Sequence, residues 1–278
     1  MHTEHKTTAD VIVPKSPACP LNVVLGGAPL LGRLTGIGRY TYELARALVA
    51  SQIVDDLKLW GDLSFLDAGM LKRGDPTSEG PAGLADKKNR GRSGSLAVSA
   101  RAFASRSYYA SMVYQYVSGA MAERRLRPLA DSHLYHSPNF IMPHFDGARV
   151  ITIHDLSTIR FPQFHRKQMV VLCQGGIHSA IEGKAHVITD SFHVRDELVN
   201  DFGVAGSRIS TVHLAPDPRC RPRHESECRH ALDALGLSHK AFFLSVGTIE
   251  PRKNLLRVFE AFRAGRRASH FDWPLIVV

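Results

Sequence analysis

Residues 241–262 read AFFLSVGTIEPRKNLLRVFEAF. The first six residues are a short apolar run, and Gly247 then ends it. A polar turn follows, holding Thr248, Glu250, Pro251, Arg252 and Lys253. After the turn, Leu255, Phe259 and Phe262 recur at the three- and four-residue spacing of one helix face. A run apolar at successive positions, with no polar alternation, is a strand covered on both faces, as in parallel sheets. The stretch is therefore a strand, a tight turn and a helix.

The same unit recurs upstream. Short runs rich in Val, Ile and Leu stand at Leu21–Gly26, Leu57–Gly61, Leu134–His136, Arg149–Ile153, Ala185–Thr189 and Ile209–Leu214, and another at Leu275–Val278. Helical patterns separate several of them; after the first, Tyr40, Leu44 and Leu48 are spaced by four. Strand and helix in alternation predict an α/β fold built on parallel sheets. Residues 1–20 read as a loose tail. Residues 67–95, rich in Gly, Pro, Ser and Asp, read as a mobile loop. An amphipathic helix is expected over about 96–127, with Tyr109, Met112, Val113, Tyr116, Val117 and Met121 on one face. A Pro-rich, hydrophilic stretch places a linker at 219–240. It divides a domain over 21–218 from the start of a second one over 241–278. About forty residues are too few to close a sheet of their own, so the second domain reads as truncated.

Composition narrows the function classes. The 278 residues carry a formal net charge of +9, which suits anionic partners such as nucleotides, sugar phosphates or lipid headgroups. Much of the excess lies in 72–127, which holds eleven basic and four acidic residues. That region shows no interleaving of aromatic and basic residues and no nucleic-acid-binding motif, so nucleic acid is not an expected partner. The four cysteines match no zinc or Cys-x-x-Cys spacing and read as free thiols of a reducing cytosol. The fifteen histidines include no His-Glu-x-x-His, so no metal site is predicted. No apolar run approaches the roughly 18 residues of a membrane-spanning helix, and no secretory leader is evident.

Chemistry-bearing residues gather just after the carboxyl ends of the predicted strands, where open parallel sheets bind ligands. Turns need Gly, Ser, Asp and Asn in any case, so each cluster also has a purely structural explanation. Strand one leads on to Gly36-Ile37-Gly38-Arg39-Tyr40, at a helix start whose free N–H groups can hold an anion. That loop fits neither a dinucleotide-binding glycine fingerprint nor a P-loop. The next clusters are His136-Ser137-Pro138, His154-Asp155 and Asp190-Ser191. His154 can donate to a sugar hydroxyl or act as a base, or can be a satisfied histidine at a strand end. In Gly247–Asn254, Arg252 and Lys253 stand near a helix N-terminus, against the preference of the helix dipole for cations at the other end. An anion such as a diphosphate would resolve the conflict; two solvated side chains would equally account for it.

Three segments carry a family resemblance: TGIGRYTYELARAL (35–48); YHSPNFIMP (135–143), VITIHDLS (150–157) and VITDSFHVRDEL (187–198) together; and the opening stretch. In order, they resemble glycosyltransferase family 4. The resemblance implies a GT-B fold: a Rossmann-like acceptor-side domain with a parallel sheet, then a Rossmann-like nucleotide-sugar-binding domain. It implies retaining transfer of a hexose, mannose first, from a GDP- or UDP-sugar to a glycan or lipid-linked acceptor, with no metal and no other cofactor. It puts His154 and Asp155 at the catalytic centre, and Arg252, Lys253, Gly247 and Thr248 on the donor diphosphate. Gly36, Gly38, Arg39 and Tyr40 form a cleft loop, and His136 and Ser191 line the pocket. Many relatives carry Arg where this chain has Thr248. The family's downstream Glu-x7-Glu motif would fall past Val278, so this chain is expected to transfer sugar poorly by itself. A glycan- or membrane-binding module is the alternative. The expected location is the cytoplasm, with region 72–127 a candidate contact at the inner membrane face.

Overall fold

The computed structural model describes residues 20–31, 34–72, 108–269 and 271–278. The predicted tail, most of the 67–95 loop and the basic residues between 73 and 107 lie outside the described residues. Two compact units divide between His213 and Leu214.

The first unit opens with β1 (Leu21–Gly26), α1 (Gly36–Ala50), β2 (Val54–Trp60) and a two-residue β3 (Phe65–Leu66). Helix α2 (Tyr108–Leu126), β4 (Leu134–Ser137), β5 (Arg149–Ile153), a single turn α3 (Ser157–Arg160) and α4 (Lys167–Glu182) come next. β6 (His186–Thr189), α5 (Phe192–Phe202) and β7 (Ile209–Thr211) complete it. The sheet runs β3-β2-β1-β4-β5-β6-β7, parallel throughout except for the β2–β3 pair. Strand order reverses between β1 and β4, which makes that crevice the topological switch point. This is the Rossmann-like α/β architecture that the GT-B resemblance implies. Strand β3 has no counterpart in the sequence reading, because two residues are too few to show a period.

Helices cover both sheet faces because neighbouring strand residues point opposite ways. Val24 packs with Trp60, Tyr135, Phe145 and the Ala122 and Leu126 side of α2. Leu25 packs with Leu59 and the Tyr42 and Ala45 side of α1. A third cluster joins β5, β6 and β7 to α4 and α5 through Ile151, Ile153, Ile177, Val187, Leu198 and Ile209. Side chains buried this completely contribute about 1.5–3 kcal/mol each.

Two helix faces differ from expectation. On α1 the buried positions are Gly38, Thr41, Tyr42 and Ala45, while Tyr40, Leu44 and Leu48 are half-buried on its flank. On α2 the predicted apolar face is the open one: Met112, Val113, Tyr116 and Val117 are all exposed. The small Ala122 and the terminal Leu126 make the core contact instead, so close approach to the sheet decided the face, not total hydrophobicity.

In the second unit, α6 (Glu225–Asp233) lies within the stretch read as linker, closed at its start by a capping box between His224 and Glu227. β8 (Phe243–Ser245) and β9 (Leu275–Val277) pair in parallel, linked by α7 (Leu255–Ser269). Phe243, Phe262, Phe271 and Trp273 form an aromatic cluster on this unit. Leu244, Val246, Ile249 and Leu256 remain exposed.

Candidate functional site

The strand-end residues of the first unit converge into one bonded cluster. His154 follows the last residue of β5, and both its ring nitrogens are engaged. Nε2 lies 3.0 Å from the Pro138 carbonyl beyond β4. Nδ1 lies 2.6 Å from Asp190 Oδ2 beyond β6. Tyr40, from the first turns of α1, sets its ring edge-on to the imidazole at 4.8 Å. The Tyr40 hydroxyl is 3.1 Å from Thr152 Oγ1, and His136 Nε2 reaches the same oxygen at 2.9 Å. Four elements meet here: α1, β4, β5 and β6.

Burial sets the charge states around His154. His136 and Thr152 are buried inside the sheet. Desolvation, with the neighbouring His154 second, pushes the His136 pKa down to about 4, so this imidazole is neutral at pH 7. Burial also raises the Tyr40 hydroxyl; the Thr152 hydrogen bond opposes that and the Asp190 charge adds to it. Asp190 Oδ1 is buried with no partner among the described residues, so His154 is the ring that holds this carboxylate.

The other predicted residues have local engagements. Asp155 Oδ1 accepts from the Ser157 amide at 2.9 Å and the Ser157 hydroxyl at 2.7 Å, and so opens α3. Ser191 Oγ accepts from the Val194 amide at 3.3 Å as the N-cap of α5. Gly36 begins α1 with open space around it. At Gly38 a Cβ would stand 3.0 Å from the Pro29 carbonyl oxygen. Arg39 pairs with Glu43 one turn on, at 3.0 Å.

Beside the cluster, a cavity of about 190 Å³ opens past the carboxyl ends of β1 and β4. Gly26, Asp62, Gln115, Ser118, Asn139 and Met142 are among the residues around it. His154 is not in its wall, but Pro138 connects the two. A Cβ on Gly26 would lie 2.9 Å from Pro138 Cδ, so only glycine permits this approach. A groove of about 390 Å³ follows the outer β2–β3 edge past Asp56, Lys58, Phe65 and Arg125, and contains none of the strand-end residues.

The second unit holds the other predicted set. Pro251–Lys253 is a 3₁₀ turn, Asn254 is left-handed at φ 51°, and α7 starts at Leu255. Arg252 and Lys253 therefore precede the helix as expected. Arg252 binds Glu250 at 2.7 Å, an internal counter-charge that the sequence reading did not assign. The Gly247 amide donates to Val278 O at 2.9 Å, and Thr248 follows it in the turn.

Asp190, Thr152 and Pro138 were not among the predicted site residues. A threonine inside the apolar Val150–Ile153 run was the available signal for Thr152. Asp190 stood beside Ser191, and only the fold shows that it, rather than Ser191, faces His154.

No family model matches the chain. It is similar to O-antigen chain mannosyltransferase B of Escherichia coli, 29% identical over 257 residues that make up 92% of this chain. The chain spans 64% of the length of that relative.

Proposed function

We propose that this protein is a GT-B glycosyltransferase resembling family 4, which moves a hexose, mannose foremost, from a GDP- or UDP-sugar to a glycan or lipid-linked acceptor. The similarity along nearly the whole chain to a mannosyltransferase carries this reading. The switch-point cavity of the first unit, edged by amide, hydroxyl and carboxylate groups, suits the hydroxyls of an acceptor. Arg252 and Lys253 of the second unit suit the donor diphosphate. Transfer proceeds with retention and without a metal ion or further cofactor. His154 and Asp155 act at the reacting end of the first unit.

Among the described residues no helix is long and apolar enough to cross a membrane. The exposed Met112, Val113, Tyr116 and Val117 of α2, with Arg124, Arg125 and Arg127 beyond them, would contact an anionic membrane face. Co-sedimentation with phosphatidylglycerol vesicles but not with phosphatidylcholine vesicles checks that contact.

Calorimetric titration with GDP, UDP, GDP-mannose and NAD tests the donor assignment. One nucleoside diphosphate should bind, and Lys253→Ala should weaken it about tenfold or more, the scale of one charge-assisted contact. Binding of NAD instead, or of none of the four by a folded chain, sinks the assignment.

A further inference from the structure

His154 is bonded in a way that constrains its protons. The Pro138 carbonyl can only accept, so Nε2 must carry a hydrogen. The contact from Nδ1 to Asp190 Oδ2, at 2.6 Å, holds a second hydrogen between two heavy atoms. Asp190 has no other side-chain partner among the described residues, since its Oδ1 is orphaned. An ionised carboxylate this enclosed needs a cation, and an imidazolium donating from both nitrogens meets both demands. Such a ring has no lone pair with which to take a proton.

We infer that Asp190 is a positioning residue: it keeps the His154 ring doubly protonated, and the ring serves as a clamp on the Pro138 carbonyl rather than as a base. The clamp reaches the cavity. Pro138 closes against Gly26 at the end of β1. Beyond it, the Ser137 hydroxyl holds the turn through the Asn139 and Ile141 carbonyls, at 2.7 and 2.6 Å. Asn139, Ile141, Met142 and Pro143 then form one side of the cavity. Among the described residues, the titratable groups near the ring and its partner are Asp190 just beyond β6, His136 from β4, Tyr40 from α1, and His213, whose Nδ1 lies 2.9 Å from the Asp190 carbonyl. Of these Asp190 is the one carboxyl group.

The proton count is independent of the proposed transferase activity; the effect on turnover rests on it. The full chain, labelled with ¹⁵N-histidine and with His154 assigned by comparison with His154→Gln, should show two protonated ring nitrogens for His154 at pH 7. A bare lone pair on either nitrogen overturns the inference. Asp190→Asn should leave one ring proton, because the amide can donate to Nδ1 while Nε2 keeps Pro138. Asp190→Ala should free the ring. In transfer assays, Asp190→Ala should raise KM for the acceptor about tenfold with a smaller change in kcat, and Asp190→Asn should recover most of that loss. Equal collapse of kcat in both variants would mean that His154 works by its charge or as a base, and would also overturn the clamp. If the wild-type chain transfers no sugar, the nitrogen spectrum alone decides this inference.

Discussion

The two units place polar residues after their strands in sequence patterns that look alike, yet the physics differs. In the first unit, the groups at and just beyond the carboxyl ends of β4, β5 and β6 bond to one another: His154 to Asp190 and Pro138, and His136 to Thr152. His136 and Thr152 are buried and His154 and Asp190 largely covered, so these groups bond mainly within the protein. In the second unit, Arg252 and Lys253 stand in an exposed turn, and among the described residues the Glu250 carboxylate answers Arg252. A partly exposed pair of this kind contributes about 0–1 kcal/mol. Cations held that loosely can exchange their partner for a ligand, whereas the first cluster cannot release a group without leaving another unsatisfied. Polar residues placed after strands therefore build a rigid frame in one unit and an adaptable contact in the other.

The glycines give the sharpest way to break the comparison. A Cβ on Gly176 of α4 would lie 1.6 Å from the Phe140 carbonyl oxygen, an impossible contact. Gly176→Ala should cost about 3 kcal/mol or more in denaturant unfolding. Its counterpart Gly247 has nothing nearer than Lys253 Cε at 4.0 Å, and Gly247→Ala should change stability by no more than about 0.5 kcal/mol. Equal losses in the two variants would erase the distinction between a packed and an open unit.

A pH series sharpens it further. The folded His136 refuses a proton that the unfolded chain accepts, its pKa being about 4 against 6.5. Protons bound by the unfolded state exceed those of the folded state in that window, so stability rises with pH there. It is fully present above about pH 6.5 and is lost as pH falls toward 4, by up to roughly 3 kcal/mol. His136→Gln should remove that slope in equilibrium unfolding followed by the fluorescence of the buried Trp60. The smallest expected effect is Lys253→Ala, which should leave thermal stability within about 0.5 kcal/mol. A larger loss would show that the basic turn is part of the frame after all.

The central strands of the first unit were legible because burial on both faces writes continuous apolar runs, and β1 and β5 were read to the residue; β8 carries the same kind of run, yet Phe243 and Leu244 are exposed. Strand β3 was illegible at two residues. The α2 face misled because the most apolar positions, Met112, Val113 and Tyr116, are exposed, while Ala122 makes the close contact. In the site, His154 and His136 stood out as strand-end histidines. The role of Asp190 did not, since it lies 36 residues away in the chain and meets His154 only through the β5–β6 pairing.

The sequence by itself determined the α/β class, the succession of strand, turn and helix, and the delivery of polar residues to the carboxyl edge of the sheet, since these follow from local periodicity and turn chemistry. Only the tertiary structure decided which of those residues face one another, which α2 face is covered and how the protons of His154 are shared. Those outcomes depend on strand order and burial, and a one-dimensional pattern carries neither.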